Sequence, residues 1–332
     1  MITETTIAAL HASRPRVACA GTYIVDVLGR PVSELPRGQQ SRILDEIRIT
    51  PAGTSGGTVV DLARLGARTV AIGAIGRDLI GDFLVRALQG EGVDASHLVA
   101  KDGVQTSATI LPIHPDGSRP AWHVPGANST FTLDDVAWDV IEQSDAVHVG
   151  GLTALPGIDG EPAGEILRRA REQGALTTAD FLGVRGDDVS DQLARCLPHV
   201  DIFMPNDGEA LAVAGDADVA TAAQRLRHLG ARCVIVKCGA DGCLVADDDG
   251  ERMLPAHDAP VVDTTGCGDA FCAGVIVARC AGWEIDDAAR LGCATGALNM
   301  RGLGSDAGAR DVAEAIAFMH EIPYREAPTV AG

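Results

Sequence analysis

Residues 261–274 read VVDTTGCGDAFCAG, a pattern that predicts the end of a strand joined to the start of a helix through a glycine-rich turn. Val261 and Val262 end an apolar run, and the small polar residues and glycines that follow predict a turn. From Ala270 onward, the apolar side chains are spaced as on one side of a helix. The free N–H groups and the dipole of such a helix favour an anion at its N-terminus.

A carboxylate, Asp269, stands at the mouth of this predicted helix, where it would compete with a bound anion. One hypothesis is that Asp269 takes a proton from a substrate hydroxyl while the helix N-terminus steadies a transferring phosphoryl group. The other is that Asp269 is an ordinary helix N-cap. The turn lacks the Gly-Lys-Ser/Thr of a Walker A loop and comes too late in the chain for a dinucleotide fingerprint. The turn alone leaves both hypotheses open.

The whole chain has the composition of a globular protein with a strong negative charge. It has 332 residues, 46% of them hydrophobic, and a formal net charge of −19. Nucleic acid and anionic membranes would repel such a protein, so neither is expected as a partner. The nine cysteines lack zinc spacing and the N-terminus lacks signal-peptide order, which favours reduced thiols and a cytoplasmic location. No apolar run approaches the roughly 20 residues of a membrane span.

Apolar strand-like runs alternate with amphipathic helical segments along most of the chain. Such βα repeats predict an α/β fold with a mainly parallel central sheet and helices on both faces; the helix of one early unit is predicted to begin at Thr58. Two further strand-like runs, 104–113 and 119–124, flank the turn sequence HPDGS at 114–118. This hairpin and the extended residues 42–50 do not fit the βα series. They predict a small accessory β-sheet.

The full string at 261–274 resembles the D-T-T-G-A-G-D-x-F-x-x-G signature of the PfkB, or ribokinase-like, carbohydrate kinases, with Cys267 where that family usually has Ala. The resemblance covers nearly the whole chain, including AGTSGGTVVDLARLG at 52–66, PNDGEA at 205–210 and VIVKCGADGCLV at 234–245. It implies a ribokinase-like fold in which the small β-sheet is a lid over the sugar.

The resemblance also divides the chain into an α/β kinase core, a lid and two terminal tails. The lid is expected to be inserted discontinuously, so that two separate stretches build one sheet. The expected ranges are 15–22, 52–102 and 127–322 for the core, 23–51 and 103–126 for the lid, and 1–14 and 323–332 for the tails.

The resemblance assigns the reaction to the turn. It implies that Asp269 is the catalytic base toward a sugar hydroxyl, and that the N–H groups of Gly266, Cys267 and Gly268 form the anion hole for the γ-phosphate of ATP. A thiol at a helix N-terminus also raises the hypothesis of an ionised, redox-active Cys267. The alternative is a small residue that replaces Ala and contributes only its backbone N–H.

Asn206 and Glu209 lie one helical turn apart, so their side chains would face one direction. The resemblance implies that they organise Mg²⁺ and its waters, with Glu209 acting through water. Without the resemblance, an N-cap with a first-turn Glu explains the pair. Asp263 and Thr265 match positions that bind K⁺ in some family members. Further residues implied for ATP binding are Lys237, Gly239, Gly242, Asn299 and Gly304.

At the sugar end of the site, Gly57 stands where the family has a sugar-binding Asn. A hydroxyl contact must then come from elsewhere, or a larger substrate must fill the gap. Trp122 and His123 lie on the predicted lid hairpin, and either is a candidate to cover a ring; lid packing is the alternative for Trp122. No basic cluster marks the lid, which disfavours a phosphosugar. The residues implied for substrate binding are Asp26, Gly53, Gly57, Asn128 and Asp180.

The predicted function is transfer of the γ-phosphate of ATP to a hydroxyl of a small sugar or sugar derivative, with Mg²⁺ and, as in some family members, K⁺. The alternative is a nucleoside kinase of the same family, which the missing Asn at Gly57 keeps open. A more remote alternative is a non-catalytic sugar-binding regulator. Because lid hairpins in this family often pair between subunits, a homodimer through the lid is expected by resemblance.

Overall fold

Short apolar strands and the helices between them build two sheets. The computed structural model describes residues 4–115, 118–183, 189–215 and 218–325, so the predicted turn residues Asp116 and Gly117 lie outside the described part of the chain. Within that part, the strands are β1 Arg16–Gly21, β2 Ile24–Arg30, β3 Glu46–Ala52, β4 Arg68–Gly76, β5 Asp94–Lys101, β6 Ala108–Pro112, β7 Trp122–Val124, β8 Ala146–Leu152, β9 Leu176–Phe181, β10 Ile202–Phe203, β11 Cys233–Lys237, β12 Cys243–Asp247 and β13 Gly250–Leu254. The α-helices are α1 Glu4–Ala12, α2 Thr54–Arg64, α3 Leu79–Gly90, α4 Trp138–Glu142, α5 Glu161–Glu172, α6 Val189–Cys196, α7 Asp207–Ala214, α8 Val219–His228, α9 Cys267–Cys280, α10 Ile285–Asn299 and α11 Val312–Glu321.

The larger sheet has the strand order β13-β12-β11-β10-β9-β8-β1-β4-β5. The strands from β11 to β5 are parallel, while β12 and β13 pair antiparallel at one edge. Strand β1 lies between β4 and β8, so the chain leaves it toward both sides of the sheet. Where the connections diverge in this way, a crevice opens beyond the carboxyl ends of the parallel strands.

Helices cover both faces of this sheet, as the sequence predicts. In β1, Val17 and Cys19 belong to one buried cluster, whereas Ala18 and Ala20 belong to another, because successive side chains of a strand point to opposite faces. The first cluster receives side chains from α1, α2, α3, α9, α10 and α11, and the second from α4 to α8. No helix in the described parts of the chain has both the length and the apolar character that a membrane span needs.

The smaller sheet has the order β3-β2-β6-β7 and comes from two separate stretches of chain, as expected for the lid. Strand β2 pairs antiparallel with β3 and parallel with β6, and β6 pairs antiparallel with β7. Directly opposed residues form rows that alternate between the two faces. One row is polar and consists of Thr50, Asp26, Thr109 and His123; the next is apolar and consists of Ile49, Val27, Ile110 and Trp122.

Several elements differ from the sequence prediction. Residues expected as an N-terminal tail form α1, which accepts a hydrogen bond on the Thr6 carbonyl from Nε1 of the buried Trp283. Strand β5 was not predicted, and β3 lies later than the predicted run 42–50. Helix α2 begins at Thr54 instead of Thr58. Its early turn contains Gly56 and Gly57, which are poor helix formers, so packing of α2 against α9 stabilises what local propensity does not.

Candidate active site

A cavity of about 830 Å³ lies where the carboxyl ends of the parallel strands meet the lid. Strand β9 brings Asp180 to it, β11 brings Lys237, and β2 of the lid brings Asp26. The N-terminus of α9 forms a further wall. The predicted site residues that line the cavity are Asp26, Gly53, Asp180, Asn206, Glu209, Lys237, Gly239, Gly242, Thr265, Gly266, Cys267, Gly268 and Asp269.

Asp269 lies in the first turn of α9 and faces the backbone of α2. The N-cap of α9 is Gly266, so the alternative hypothesis that Asp269 is an N-cap is wrong. Burial raises the pKa of Asp269 well above its usual range, and the neighbouring Asp180 raises it further, while Lys237 opposes the shift. A carboxylate with a raised pKa is a stronger base, which suits removal of a proton from a hydroxyl.

Gly57 is not an open gap in the sugar site. A Cβ atom built on Gly57 would lie 2.3 Å from Oδ2 of Asp269, so the carboxylate already occupies the space of a side chain at this position. One residue further along α2, the Thr58 hydroxyl donates to the Asp269 carbonyl at 3.4 Å. The absence of the family's Asn therefore leaves room for Asp269, and no larger substrate is needed to fill it.

The turn before α9 presents the open end of the helix to the cavity. Gly266 has a φ of 78°, and a Cβ atom there would lie 2.5 Å from Cα of Ser305, so both the left-handed turn and the close approach require glycine. The first helical hydrogen bond of α9 runs from Ala270 N to Gly266 O, and Cys267 N makes only a 3.4 Å contact with Thr264 O. The N–H groups that precede Ala270 are therefore available to an anion.

The ammonium group of Lys237 lies against this turn. A Cβ atom built on Gly268 would lie 3.1 Å from Nζ of Lys237, and Nζ lies 3.8 Å from Sγ of Cys272. Burial lowers the pKa of Lys237, but its acidic neighbours, Asp180 and Glu209 among them, raise it by more, so the ammonium group is charged. A charged ammonium beside an open helix N-terminus is an arrangement that binds phosphate.

Asp180 lies at the carboxyl end of β9 and is fully buried. Its Oδ1 accepts the Gly151 N–H at 2.9 Å, and its Oδ2 lies 3.9 Å from Sγ of Cys272. Burial raises the pKa of Asp180 to about 6 against the charge of Lys237. The charge of Lys237 thus acts on Asp180, and Asp180 in turn raises the pKa of Asp269.

Asn206 and Glu209 form a capping box at the start of α7. Asn206 Oδ1 accepts the Glu209 N–H at 2.8 Å, while Glu209 accepts the N–H groups of Asn206 at 2.9 Å and Gly183 at 3.0 Å. The capping explanation offered by the sequence is therefore confirmed. Each Glu209 oxygen keeps a further lone pair and the residue lines the cavity, so the donor set fits Mg²⁺ held through its water molecules. Among the described residues, no three His, Cys, Asp or Glu side chains gather into a group that would bind a metal directly.

The polar face of the lid sheet is turned toward the cavity. Burial raises the pKa of Asp26 to about 6, although a hydrogen bond from Thr109 and the charge of Arg119 lower it. Thr109 Oγ1 also lies 3.1 Å from Nδ1 of His123. Trp122 is half exposed and lies in the apolar row of the opposite face, so of the two hairpin residues only His123 is placed to cover a bound ring.

The predicted site residues that do not line the cavity support it from behind: Gly57, Asn128, Asp263, Asn299 and Gly304. Asn128 uses its amide on the backbone of Tyr23, where Oδ1 accepts the N–H at 3.2 Å and Nδ2 donates to the carbonyl at 3.1 Å. This pairing fixes the segment that leads into β2. It gives Asn128 a structural role in place of the expected sugar contact.

Asp263, Asn299 and Gly304 hold the turn before α9. Asp263 accepts hydrogen bonds from the N–H and hydroxyl of Thr265 at 3.0 and 2.8 Å, and from Gly304 N at 2.9 Å. Asn299 Nδ2 donates to the Thr265 carbonyl at 2.6 Å. These residues therefore shape the turn before α9, and Asn299 and Gly304, expected to contact the nucleotide, are not part of the cavity wall.

Cys267 contributes its backbone to the turn and its thiol to the protein interior. Burial raises the pKa of Cys267 to about 12, so the thiol is protonated at neutral pH. Asn299 Nδ2 lies 3.8 Å from its sulfur. The hypothesis of an ionised thiol is therefore wrong, because loss of water outweighs the effect of the helix N-terminus.

Sequence reasoning did not single out Thr54, Thr109 and Arg119, which also line the cavity. Thr109 has a usable signal, because it lies opposite Asp26 in the lid and strand alternation puts both on one face. Thr54 was missed because α2 begins earlier than predicted. Arg119 is a lone arginine after a turn, and nothing in the local sequence indicates that its side chain contacts Thr264, in the turn before α9.

The sequence profile of the pfkB family carbohydrate kinase matches residues 14–311, which is most of the chain. The chain belongs to the PfkB family. An aminoimidazole riboside kinase from Salmonella typhimurium is 31% identical to this kinase over 235 residues, which cover 68% of this chain and 72% of the relative. A ribokinase from Haemophilus influenzae is 27% identical over 279 residues, which cover 82% and 88% of the two chains.

A solved structure supports the same assignment. Aminoimidazole riboside kinase from Salmonella enterica, in complex with aminoimidazole riboside and an ATP analogue, matches with a TM-score of 0.75 at 26% identity, over 92% of this chain and 99% of that one. The predicted ribokinase-like fold is thus confirmed. This PfkB kinase is a phosphotransferase that acts on hydroxyl groups, so the alternative of a non-catalytic regulator is wrong. Among solved structures of this fold, a ribokinase from Arabidopsis thaliana contains ribose and ATP, and a putative ribokinase II from E. coli contains ATP and Mg²⁺.

Replacing Asp269 tests the assignment of the base. We expect Asp269→Asn to lower kcat by about 100-fold or more, because the amide cannot take the hydroxyl proton, with little change in ATP binding. Asp61→Asn is the matched control, because Asp61 is a buried carboxyl group of α2 that does not line the cavity. Steady-state kinetics and ATP titration of both variants provide the measurement. Near-normal turnover of Asp269→Asn contradicts the assignment.

Two neighbouring glycines of α2 test the close packing against the base. We expect Gly57→Ala to lower kcat, because its Cβ would lie 2.3 Å from Asp269 Oδ2 and displace the carboxylate. Gly56→Ala should keep activity and stabilise the helix by about 1 kcal/mol, since its Cβ would make an ordinary 3.5 Å contact with Tyr23. Kinetics and urea unfolding of both variants check this. Equal kinetics in the two variants would show that Gly57 does not position the base.

Proposed function

We propose that this kinase transfers the γ-phosphoryl group of ATP to a hydroxyl of a small sugar or sugar derivative, with Asp269 as the base. The observation that carries this proposal is the position of Asp269, a carboxylate of raised pKa at the open N-terminus of α9. The same cavity contains Asp26 of the lid. A proton acceptor, an anion site and a hydroxyl-binding carboxylate thus share one enclosed space.

The phosphates of ATP bind at the turn formed by Gly266, Cys267 and Gly268. Their N–H groups and the Lys237 ammonium neutralise the charge of the transferring group, which lowers the barrier to in-line transfer. Mg²⁺, when bound through waters held by Asn206 and Glu209, neutralises further phosphate charge. The cavity wall continues past these groups through Gly239, Gly242, Ala256, His257 and Ala297, which provide the remaining surface for the nucleotide.

The acceptor binds between the lid and α2. Deprotonated Asp26 accepts hydrogen bonds from sugar hydroxyls, and Thr54 and Thr109 offer hydroxyl groups from the two sides of this space. Asp269 takes the proton of the attacking hydroxyl. Asp180 favours this transfer, because it raises the pKa of Asp269, and it keeps Lys237 charged. The lid covers the acceptor and excludes water, so that ATP is not hydrolysed.

A nucleoside or riboside acceptor is the second candidate. A relative at 31% identity is an aminoimidazole riboside kinase. The lid side of the cavity also contains the apolar residues Ile24, Leu111 and Ala121, next to His123. This surface suits the ring of a base attached to the sugar.

An ATP-consumption screen over sugars, sugar acids and nucleosides, each with and without K⁺, tests the proposed function. We expect phosphorylation of members of one class, with product identified by mass. Turnover of nucleosides in preference to free sugars would select the second candidate. If none of these acceptors leads to ATP consumption, both candidate functions are contradicted.

Asp26 provides a test of acceptor recognition with a defined pH dependence. Its pKa of about 6 means that the carboxylate loses its charge as the pH falls through that value, so the KM for the acceptor should rise below pH 6. Asp26→Ala should raise the acceptor KM about tenfold or more at pH 7.5, leave the KM for ATP unchanged and flatten the pH dependence. A dependence that persists in Asp26→Ala would assign it to Asp180, and an equal rise of both KM values would make Asp26 structural.

We also infer a homodimer formed through the lid. The outer face of the lid sheet exposes a continuous set of large apolar side chains: Ile47, Ile49, Ile110, Trp122 and Val124. A four-stranded sheet with one apolar face needs a second layer, and two copies related by a twofold axis supply it for each other.

Charge substitution on this face tests the dimer. We expect the unmodified chain to sediment as a dimer at micromolar concentration and Ile110→Lys to sediment as a monomer, because the charge would be buried in the interface. Leu79→Lys, at a position that is 84% exposed on α3, is the control and should remain dimeric. A monomeric unmodified chain would contradict the proposal.

The cysteines support a cytoplasmic location. All nine are free thiols, and the sulfur atoms of Cys243 and Cys293 lie 3.8 Å apart without a bond. Reduced, mostly buried thiols are typical of proteins kept in a reducing compartment.

A further inference from the structure

Arg119 of the lid contacts the turn that carries the anion site. It precedes β7, yet its Nε donates to Oγ1 of Thr264 at 3.3 Å and its guanidinium lies 3.8 Å from Oδ1 of Asp263. The same positive charge acts on Asp26 and Cys267. Burial raises the pKa of both groups, and the charge of Arg119 partly offsets this rise. Arg119 is therefore a permanent cation at the junction of lid, acceptor site and anion-binding turn.

The two residues that match K⁺ positions in the family are already engaged by donors from the protein. Asp263 has a fully buried side chain, and it accepts hydrogen bonds from Thr265 N, Thr265 Oγ1 and Gly304 N. The Thr265 carbonyl accepts from Asn299 Nδ2 at 2.6 Å. The Arg119 guanidinium beside Oδ1 of Asp263 already provides the positive charge that a cation would bring, so with Arg119 in place these residues do not fit a K⁺ ion.

A second lid arginine closes the other side of the same region. Arg48 of β3 donates from Nη1 to the Leu303 carbonyl at 2.6 Å and from Nη2 to Asp306 Oδ2 at 2.9 Å. Arg48 therefore engages the carbonyl of Leu303, the residue before Gly304, whose N–H donates to Asp263. A monovalent cation added here would be repelled by the guanidinium beside Asp263.

We propose that Arg119 takes the place of a monovalent cation, so that the kinase is independent of K⁺ and the positive charge behind the anion-binding turn is delivered by the lid. Arg119 acts as a positioning residue: it fixes Thr264 and balances the charge of Asp263, and the turn then presents its N–H groups to the γ-phosphate. Because Arg119 belongs to the lid, the turn is completed only when the lid covers the acceptor. The proposal rests on the proposed kinase function.

The first experiment measures turnover of the full chain in KCl, NaCl and choline chloride at one ionic strength, about 0.1 M. The unmodified kinase should show equal kcat in the three salts. Arg119→Ala should lose about tenfold or more in kcat and regain part of it with KCl or with guanidinium chloride at low concentration, while Arg119→Lys keeps the charge and more of the activity. Arg77→Ala, at an exposed arginine paired with Asp102, is the control and should behave as the unmodified chain.

Three kinetic results would overturn the proposal. The first is stimulation of the unmodified kinase by KCl over choline chloride. The second is a loss of activity in Arg119→Ala that neither KCl nor guanidinium restores, since this would mark Arg119 as a structural contact alone. The third is an Arg119→Ala variant with unchanged kcat.

The second experiment uses no acceptor, so it separates this proposal from the kinase function. The melting temperature of each protein with ATP and Mg²⁺ is compared in KCl and choline chloride. The unmodified chain should show no K⁺-specific shift, and Arg119→Ala should gain one, because removal of the guanidinium leaves Asp263 without a cation. A K⁺-specific shift in the unmodified chain, or none in Arg119→Ala, overturns the proposal even if the kinase activity is established. Failure of every acceptor, with these melting results as expected, contradicts only the kinase function.

Discussion

The reaction centre depends on the packing of one carboxylate against bare helix backbone. Asp269 occupies the space that any side chain at position 57 would take, which brings α9 close to α2 and removes water from the carboxylate. Loss of water and the proximity of Asp180 then make Asp269 a stronger base. The charge of Lys237 lowers the electrostatic cost of burying these acids, and the same charge lies beside the proposed phosphate site. Packing, acidity and anion binding are thus consequences of one arrangement.

The parts of the structure that follow from short stretches of sequence could be predicted. The 261–274 stretch determines its own turn and helix, and the βα alternation determines the parallel sheet with helices on both faces. The predicted strand end at Val261 and Val262 is wrong: β13 ends at Leu254, and Val261 is exposed instead of packed in a sheet. The capping box of Asn206 and Glu209 is likewise local, since residues three apart at a helix start meet whatever the rest of the chain does. For these elements the chain needs no distant partner to adopt its conformation.

What could not be predicted depends on contacts between distant segments. Helix α2 starts through Gly56 and Gly57 because α9 packs there, and α1 forms where Trp283 meets it. Asn128 looked like a ligand residue, but its amide is used on Tyr23, a partner far away in sequence. Arg119 looked like an ordinary residue near a turn, but its guanidinium donates a hydrogen bond to Thr264, in the turn before α9. Motif matching locates the site, and only the tertiary structure decides which side chains point into it.

The lid sheet places the proposed acceptor contacts and the proposed subunit contact on alternate residues of the same strands. Asp26, Thr109 and His123 face the cavity, while their neighbours Val27, Ile110 and Trp122 face outward. A single inserted or deleted residue in one of these strands would exchange the two faces, putting apolar groups over the acceptor and polar groups outside. Substitutions on the two faces of the lid can therefore accumulate separately. An insertion or deletion in a strand must involve two residues, so that each face keeps its own side chains. This restricts how such a kinase can change its substrate and keep its proposed dimer.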